Sequence, residues 1–286
     1  MNYRHAYHAG NFADVLKHAT LALIVEHLKR KPTPFRVIDT HAGPGLYDLT
    51  GIQAEKTGEW KQGIAHLYGP EAGQLPQDIA PLLAAYLSAV AQQNPAGGLA
   101  RYPGSPCLAR SLLRPEDRLV VNELHPEDAT ELKSLFTRDR QTTVLHLDGW
   151  TALKSLLPPK EKRGVILIDP PFEQPGELDR LVDGLREAVS RFATGIYMLW
   201  YPIKNPKTIA TFHSALTIGR YPKLLVAELM LRAPHDIDRL NGTGIAILNP
   251  PWQLDDQLNK LLPFLSSRMG ENDASHRLFW LGVKAA

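Results

Sequence analysis

The stretch "VILIDPPFE", residues 165–173, is an apolar run that ends in an acid, two prolines and an aromatic. These residue types suit methylation of an exocyclic amine on a base. The adenine amine is a poor nucleophile because its lone pair is delocalised into the ring. Asp169 and the backbone carbonyl after it can accept both amine N–H groups and leave the nitrogen more nucleophilic. Pro170 and Pro171 donate no N–H and fix the backbone. Phe172 offers a π face to an extruded base. A second copy, "IAILNPPWQ" at 245–253, ends in Asn249, Pro250, Pro251 and Trp252. One chain needs only one such site.

Three more strand ends carry polar groups. "DTHAGPG" (39–45) brings Asp39 and His41, with glycines that let backbone approach a ligand. It is not the phosphate-binding G-x-G-x-x-G. "NELHP" brings Glu123, placed to accept both ribose hydroxyls of a nucleoside cofactor. "LDGW" brings Asp148, an acceptor for an adenine amine, and Gly149, which leaves room for the ring. Each also reads as an ordinary strand-to-helix turn. Their recurrence at successive strand ends gives them weight, because open α/β sheets bind ligands outside the C-terminal ends of their parallel strands.

The elements that must position these groups alternate along the chain. Residues 11–31 read as an amphipathic helix, stopped by Pro32 and Pro34. "FRVID" is the first strand. From "DRLVVNEL" onward, strands and helices alternate through "GVILIDPP" and "TGIYMLWYPI", which predicts a parallel sheet covered on both faces. "KLLVAELML" and "GTGIAILNPP" lack a helix between them and predict an antiparallel hairpin at the sheet edge. Residues 50–106 show helices between Pro/Gly-rich connections and no strand. The expected organisation is one α/β domain over 1–49 and 107–286, with an inserted helical subdomain over 50–106. One strand of such a hairpin must run against the parallel set, and the last, before Asn249, is the one expected to. That puts Asn249 on the opposite rim, and gives "PPW" the work of ending the strand and capping the core.

The 286 residues are 44% hydrophobic and 22% charged, enough for a full core. A net charge of +2 restricts any polyanion surface to a local patch. The one cysteine, Cys107, rules out an intrachain disulfide and a multi-cysteine zinc site, and fits a reducing cytoplasm. The first residues lack the apolar core of a signal peptide, and no run reaches membrane-spanning length.

The N-terminal "YRHAYHAGNFADVLKH" is rich in aromatics and bases. His5 and His8 have metal-ligand spacing, but no matching acid or cysteine set accompanies them, so no metal is expected. The better expectation is a segment lying over the strand ends, with Tyr3 and Tyr7 stacking and Arg4 and Lys17 meeting phosphate. The basic clusters at 27–31 and 160–163 read as solvated faces.

These motifs, together with "EKTGEW", "RYPGSP", "RFATG" and "LWYP", resemble the J-type 23S ribosomal RNA adenine-N6 methyltransferases across essentially the whole chain. The resemblance implies a monomeric, Rossmann-like class I methyltransferase. Its sheet would be mostly parallel and seven-stranded, with an antiparallel last strand. S-adenosylmethionine would be the donor, and free or early-assembly 23S RNA the partner. Carried over by position, the cofactor contacts fall on His18, His41, Ser105, Glu123, Asp148, Gly149 and Asp169. The catalytic acid falls on Asp169, and Tyr3 on the residue that meets RNA. Lys17, Pro170 and Phe172 join the substrate side. The family's usual aromatic at the last motif position is tyrosine; Phe172 keeps the stacking and loses the phenol. Rival readings are an adenine-N6 enzyme acting on DNA or another RNA, a protein-glutamine methyltransferase, and a non-catalytic RNA-binding module that holds the cofactor.

Overall fold

The computed structural model describes residues 4–282. Helix α1 (Phe12–Lys29) starts at Asn11, whose side chain accepts from Ala13 N and Asp14 N. The expected amphipathic stripe does not hold. α1 is buried on nearly every face, Asp14, Lys17 and His18 included. The reason is position: α3, α4 and α9 pack around it against the sheet.

Strand β1 (Arg36–Asp39) follows, then β2 (Leu46–Asp48), α2 (Ile52–Thr57), α3 (Ala80–Gln93) and β3 (Arg101–Pro103). β2 and β3 pair antiparallel, with Leu46 opposite Pro103. Residues 50–106 therefore contain a strand that the sequence did not betray, because three residues with a single partner leave no periodicity to read. Next come α4 (Ser105–Leu112), β4 (Arg118–Asn122), α5 (Pro126–Leu135), β5 (Thr142–Leu145) and α6 (Gly149–Leu156). They are followed by β6 (Gly164–Ile168), α7 (Glu177–Arg191), β7 (Ile196–Ile203) and α8 (Pro206–Ile218). The chain ends with β8 (Leu224–Met230), β9 (Gly242–Leu248), α9 (Leu254–Met269) and β10 (Ser275–Leu281).

The large sheet has the order β10-β8-β9-β7-β6-β1-β4-β5. β5, β4, β1, β6 and β7 are mutually parallel. β9 runs antiparallel between β7 and β8. This is the mostly parallel sheet with an antiparallel last strand that the resemblance implied, extended by an eighth strand. The β8–β9 hairpin is not at the edge, because β10 covers β8. Buried Glu228 on β8 anchors β10: it accepts from Arg277 Nε at 2.9 Å and from the Tyr201 hydroxyl at 2.9 Å.

Alternation splits the core into two layers. On β6, Val165 and Leu167 face the layer containing α1, α3, α4 and α9. Ile166 and Ile168 face the layer of α6, α7 and α8. Among the described residues no helix is long and apolar enough to cross a membrane.

Candidate active site

The parallel strands end on one rim. Just beyond β4, β5 and β6 stand Glu123, Asp148 and Asp169. Asn122, fully buried, ties these ends together. Its side-chain amide donates to Thr40 O (3.0 Å) and Leu147 O (2.9 Å), and its oxygen accepts from Leu147 N (3.0 Å). A cleft of about 280 Å³ opens here. It is lined by His18, His41, Ser105, Glu123, Asp148, Gly149, Asp169 and Pro170, together with Lys17.

Each of these groups is held in place. Glu123 accepts from Gly43 N and His125 N, both at 2.7 Å. Burial pushes its carboxyl above the ordinary value, against those two bonds. Asp148 caps α6 by accepting from Thr151 N at 2.9 Å. Burial pushes His41 down to about 4, so it is neutral at pH 7. A Cβ on Gly149 would lie 2.3 Å from His41 Nε2, so any other residue would displace the His41 ring. His18 Nδ1 lies 2.7 Å from the Tyr102 hydroxyl, which lies 3.0 Å from that of Tyr86. Burial pushes His18 down to about 3. Behind the cleft, burial pushes Asp39 up to about 7 despite the neighbouring Ser105 hydroxyl.

A second, larger groove of about 660 Å³ adjoins the first. Phe172, Trp200, Pro202, Leu231 and Leu240 give it apolar faces. Phe172 takes a left-handed backbone (φ 54°) and sets its ring edge-on to Trp200, with centroids 5.6 Å apart. The two depressions share His5, Lys17, Asp169, Pro171 and Glu173. At the junction, Lys17 Nζ is 2.5 Å from Asp169 Oδ2 and 2.8 Å from Asp14 Oδ1. Burial opposes the lysine's charge, but the two carboxylates overcome it and hold Lys17 above its ordinary value. Asp14 also accepts from Gly10 N (2.9 Å) and pairs with His5 Nε2 (3.0 Å). Burial alone would raise Asp14; His5, Lys17 and His18 hold it well below the ordinary range.

A family model described as ribosomal RNA large subunit methyltransferase D, RlmJ, matches residues 32–282. Two relatives, both called ribosomal RNA large subunit methyltransferase J, match nearly end to end. The protein from Escherichia coli K12 is 42% identical, covering 96% of each chain. That from Haemophilus influenzae Rd is 40% identical, covering 98% of this chain and 99% of its own. The chain belongs to the RlmJ family. A crystal structure of a Legionella pneumophila protein is 35% identical, with a TM-score of 0.87, covering 96% of this chain and 98% of that one.

The cofactor of this RlmJ-family chain is S-adenosylmethionine. The cleft's chemistry fits it. Glu123, Asp128, Asp148, Asp169, Glu173 and Glu177 outnumber the cations Lys17 and Arg180 along its walls. Such a lining favours a sulfonium, an ammonium and ribose hydroxyls, and repels the phosphates of a dinucleotide.

The remaining expectations divide. Tyr3 lies outside the described residues. Lys17 is committed to two carboxylates, which removes it from phosphate contact while leaving it at the junction. Arg4 is likewise taken, by Glu127 and by Asp128 at 2.9 Å on the first turn of α5. Tyr7 lies beneath Lys56 and lines neither depression. His5 and His8 diverge, the first to Asp14 and the second to Glu59. Asn249 sits on the opposite rim, donating to Ala193 O and Gly195 O at 2.9 Å just before β7. Trp252 does not cap the core: it is 73% exposed. The basic clusters at 27–31 and 160–163 flank the starts of β1 and β6, also on that far rim. Sequence reasoning missed Asp14 and Trp200. The one available signal was the i, i+3, i+4 spacing of Asp14, Lys17 and His18, which shares a helix face.

Proposed function

We propose that this protein methylates N6 of an adenine in 23S ribosomal RNA. The observation that carries this reading is the meeting of the acid-lined cleft and the aromatic groove at Asp169. S-adenosylmethionine, when bound, supplies a methyl group already activated on a sulfonium. The chain's own residues then orient and polarise. Glu123 would hold ribose hydroxyls, and Asp148 would accept from the cofactor's adenine amine. His18, His41, Ser105 and Gly149 would complete that wall. Phe172 would stack the target base and Pro170 would fix the backbone beneath it. Asp169 would accept an N6 proton bond, and could take the proton lost, directly or through water. Lys17 would hold Asp169 in place while retaining Asp14 as its second partner. Residues 50–106 would act as an inserted subdomain.

An adenine must leave its stack to reach such a groove. The RNA is therefore expected free or early in assembly, in the cytoplasm. Nucleoside mass spectrometry, after incubation with labelled donor and 23S RNA, DNA or protein, tests the reading. N6-methyladenine in RNA is expected; label in DNA or protein alone would overturn it. Asp169→Ala should lower transfer by roughly 10²–10⁴-fold, and a near-wild-type rate would remove Asp169 from catalysis.

A further inference from the structure

The groove beside the cofactor cleft differs from it in charge. One wall comes from the connection between β7 and α8, with Lys204, and from the loop between β8 and β9, with Arg232 and Arg239. Residues of the segment 57–62 line the groove as well, and so do Phe172, Trp200 and Asp169. The three cations on the first wall are not equivalent. Arg232 donates through Nε to Glu271 (3.0 Å) and through Nη1 to Leu240 O (2.9 Å), so its task is to shape the loop. Lys204 and Arg239 are exposed, and neither side chain forms a hydrogen bond or an ion pair among the described residues. Lys204 is close enough to bear on the charge of His8, which lines the same groove.

Two exposed cations without a direct ion pair, both lining an aromatic groove, suit a polyanion whose base enters that groove. The cofactor side offers a poorer route, because Asp128, Asp148 and Glu177, which do not line the groove, would repel phosphate there. The basic clusters at 27–31 and 160–163 lie on the far rim and cannot reach it. We propose that Lys204 and Arg239 hold the phosphodiesters flanking the extruded adenine. The RNA strand then runs along the β7–α8 and β8–β9 side of the groove, rather than across the cofactor cleft. This inference rests on the RNA methyl-transfer reading.

The test compares K204Q/R239Q with K160Q/K223Q, which makes the same change in net charge on the far rim. Binding of a 23S RNA transcript is measured across salt concentrations, and cofactor affinity by calorimetry. Each lost phosphate contact to a single strand flattens log K against log salt by roughly 0.7, so K204Q/R239Q should flatten it by roughly 1.4. K160Q/K223Q should leave the slope as in wild type, and both variants should bind cofactor within about twofold of it. If K204Q/R239Q loses cofactor affinity, the single variants carry the test, each flattening the slope by roughly 0.7. A wild-type slope in K204Q/R239Q, or equal flattening in both double variants, overturns the phosphate path and leaves the methyl-transfer reading standing. A wild-type protein that transfers no methyl to RNA overturns that reading and this one with it.

Discussion

Lys17 and Asp169 are 152 residues apart in sequence and share a hydrogen bond of 2.5 Å. The contact joins the first helix to the fourth parallel strand of the chain, at the point where the two depressions meet. Asp14, on the turn of α1 before Lys17, completes an acid–base–acid triad in which Asp14 and Lys17 are buried and Asp169 is partly so.

Removing the central cation should therefore cost stability as well as activity. Lys17→Met leaves Asp14, 1% exposed, without its ammonium partner. Breaking a buried pair from one side costs about 3–5 kcal/mol. For a chain of this length that lowers Tm by roughly 5–8 °C. Calorimetry checks it. A Tm within about 1 °C of wild type would mean that the triad relaxes or hydrates.

Gly149→Ala tests the wall of the cofactor cleft. The new Cβ would meet His41 Nε2 at 2.3 Å, and the ring, packed edge-on to Trp150, must move. The expected result is a Kd for S-adenosylmethionine raised at least about tenfold, equivalent to about 1.4 kcal/mol. RNA affinity should stay within about twofold. Unchanged cofactor affinity would place His41 outside the binding surface.

His18 makes the fold acid-sensitive. Its native value is pushed down to about 3, against an ordinary 6.5, so the unfolded chain binds the extra proton between those limits. Stability from this group is full above pH 6.5 and is lost as pH falls toward 3. Relative to wild type, His18→Gln should gain about 2–3 kcal/mol on going from pH 7 to pH 4.5. Urea unfolding at both pH values measures it. A difference that does not change with pH would show that His18 titrates normally.

The two proline–proline copies should separate in one experiment. Asn249→Ala loses two hydrogen bonds to Ala193 O and Gly195 O, and leaves alanine in a left-handed backbone (φ 53°). A loss of about 1–3 kcal/mol is expected, with kcat for methyl transfer within about twofold of wild type. Asp169→Ala should lose the rate while Lys17 keeps Asp14 as its partner, so the fold persists with a smaller loss of stability than in Lys17→Met. A large rate loss in the Asn249 variant at full stability would overturn the division.

The parts of the site that were legible in sequence follow one rule: polar groups at the C-terminal ends of parallel strands. Asp169, Glu123 and Asp148 were found that way because apolar runs announce their strands. Asp14 was hidden, since an acid three residues before a lysine on a helix reads as a surface pair. Only the covering by α3, α4 and α9 buries it. Trp200 was hidden within an apolar strand, where an aromatic reads as core. β10 was missed because "SHRLFWL" lies half exposed at the sheet edge and carries no clean alternation. Trp252 was misjudged from hydrophobicity alone, which does not specify which way a turn points its side chain.

The β2–β3 ribbon sets Asp48 opposite Arg101. A short turn could therefore span the gap left by deleting everything between them, and the remaining chain would still close. Yet that excised length would take Tyr86 from the hydroxyl chain behind His18, and Leu83 and Val90 from the layer over α1. The segment is detachable in topology and indispensable in packing. Its connections can vary in length at little cost, while the face it lays on α1 has almost no freedom to drift.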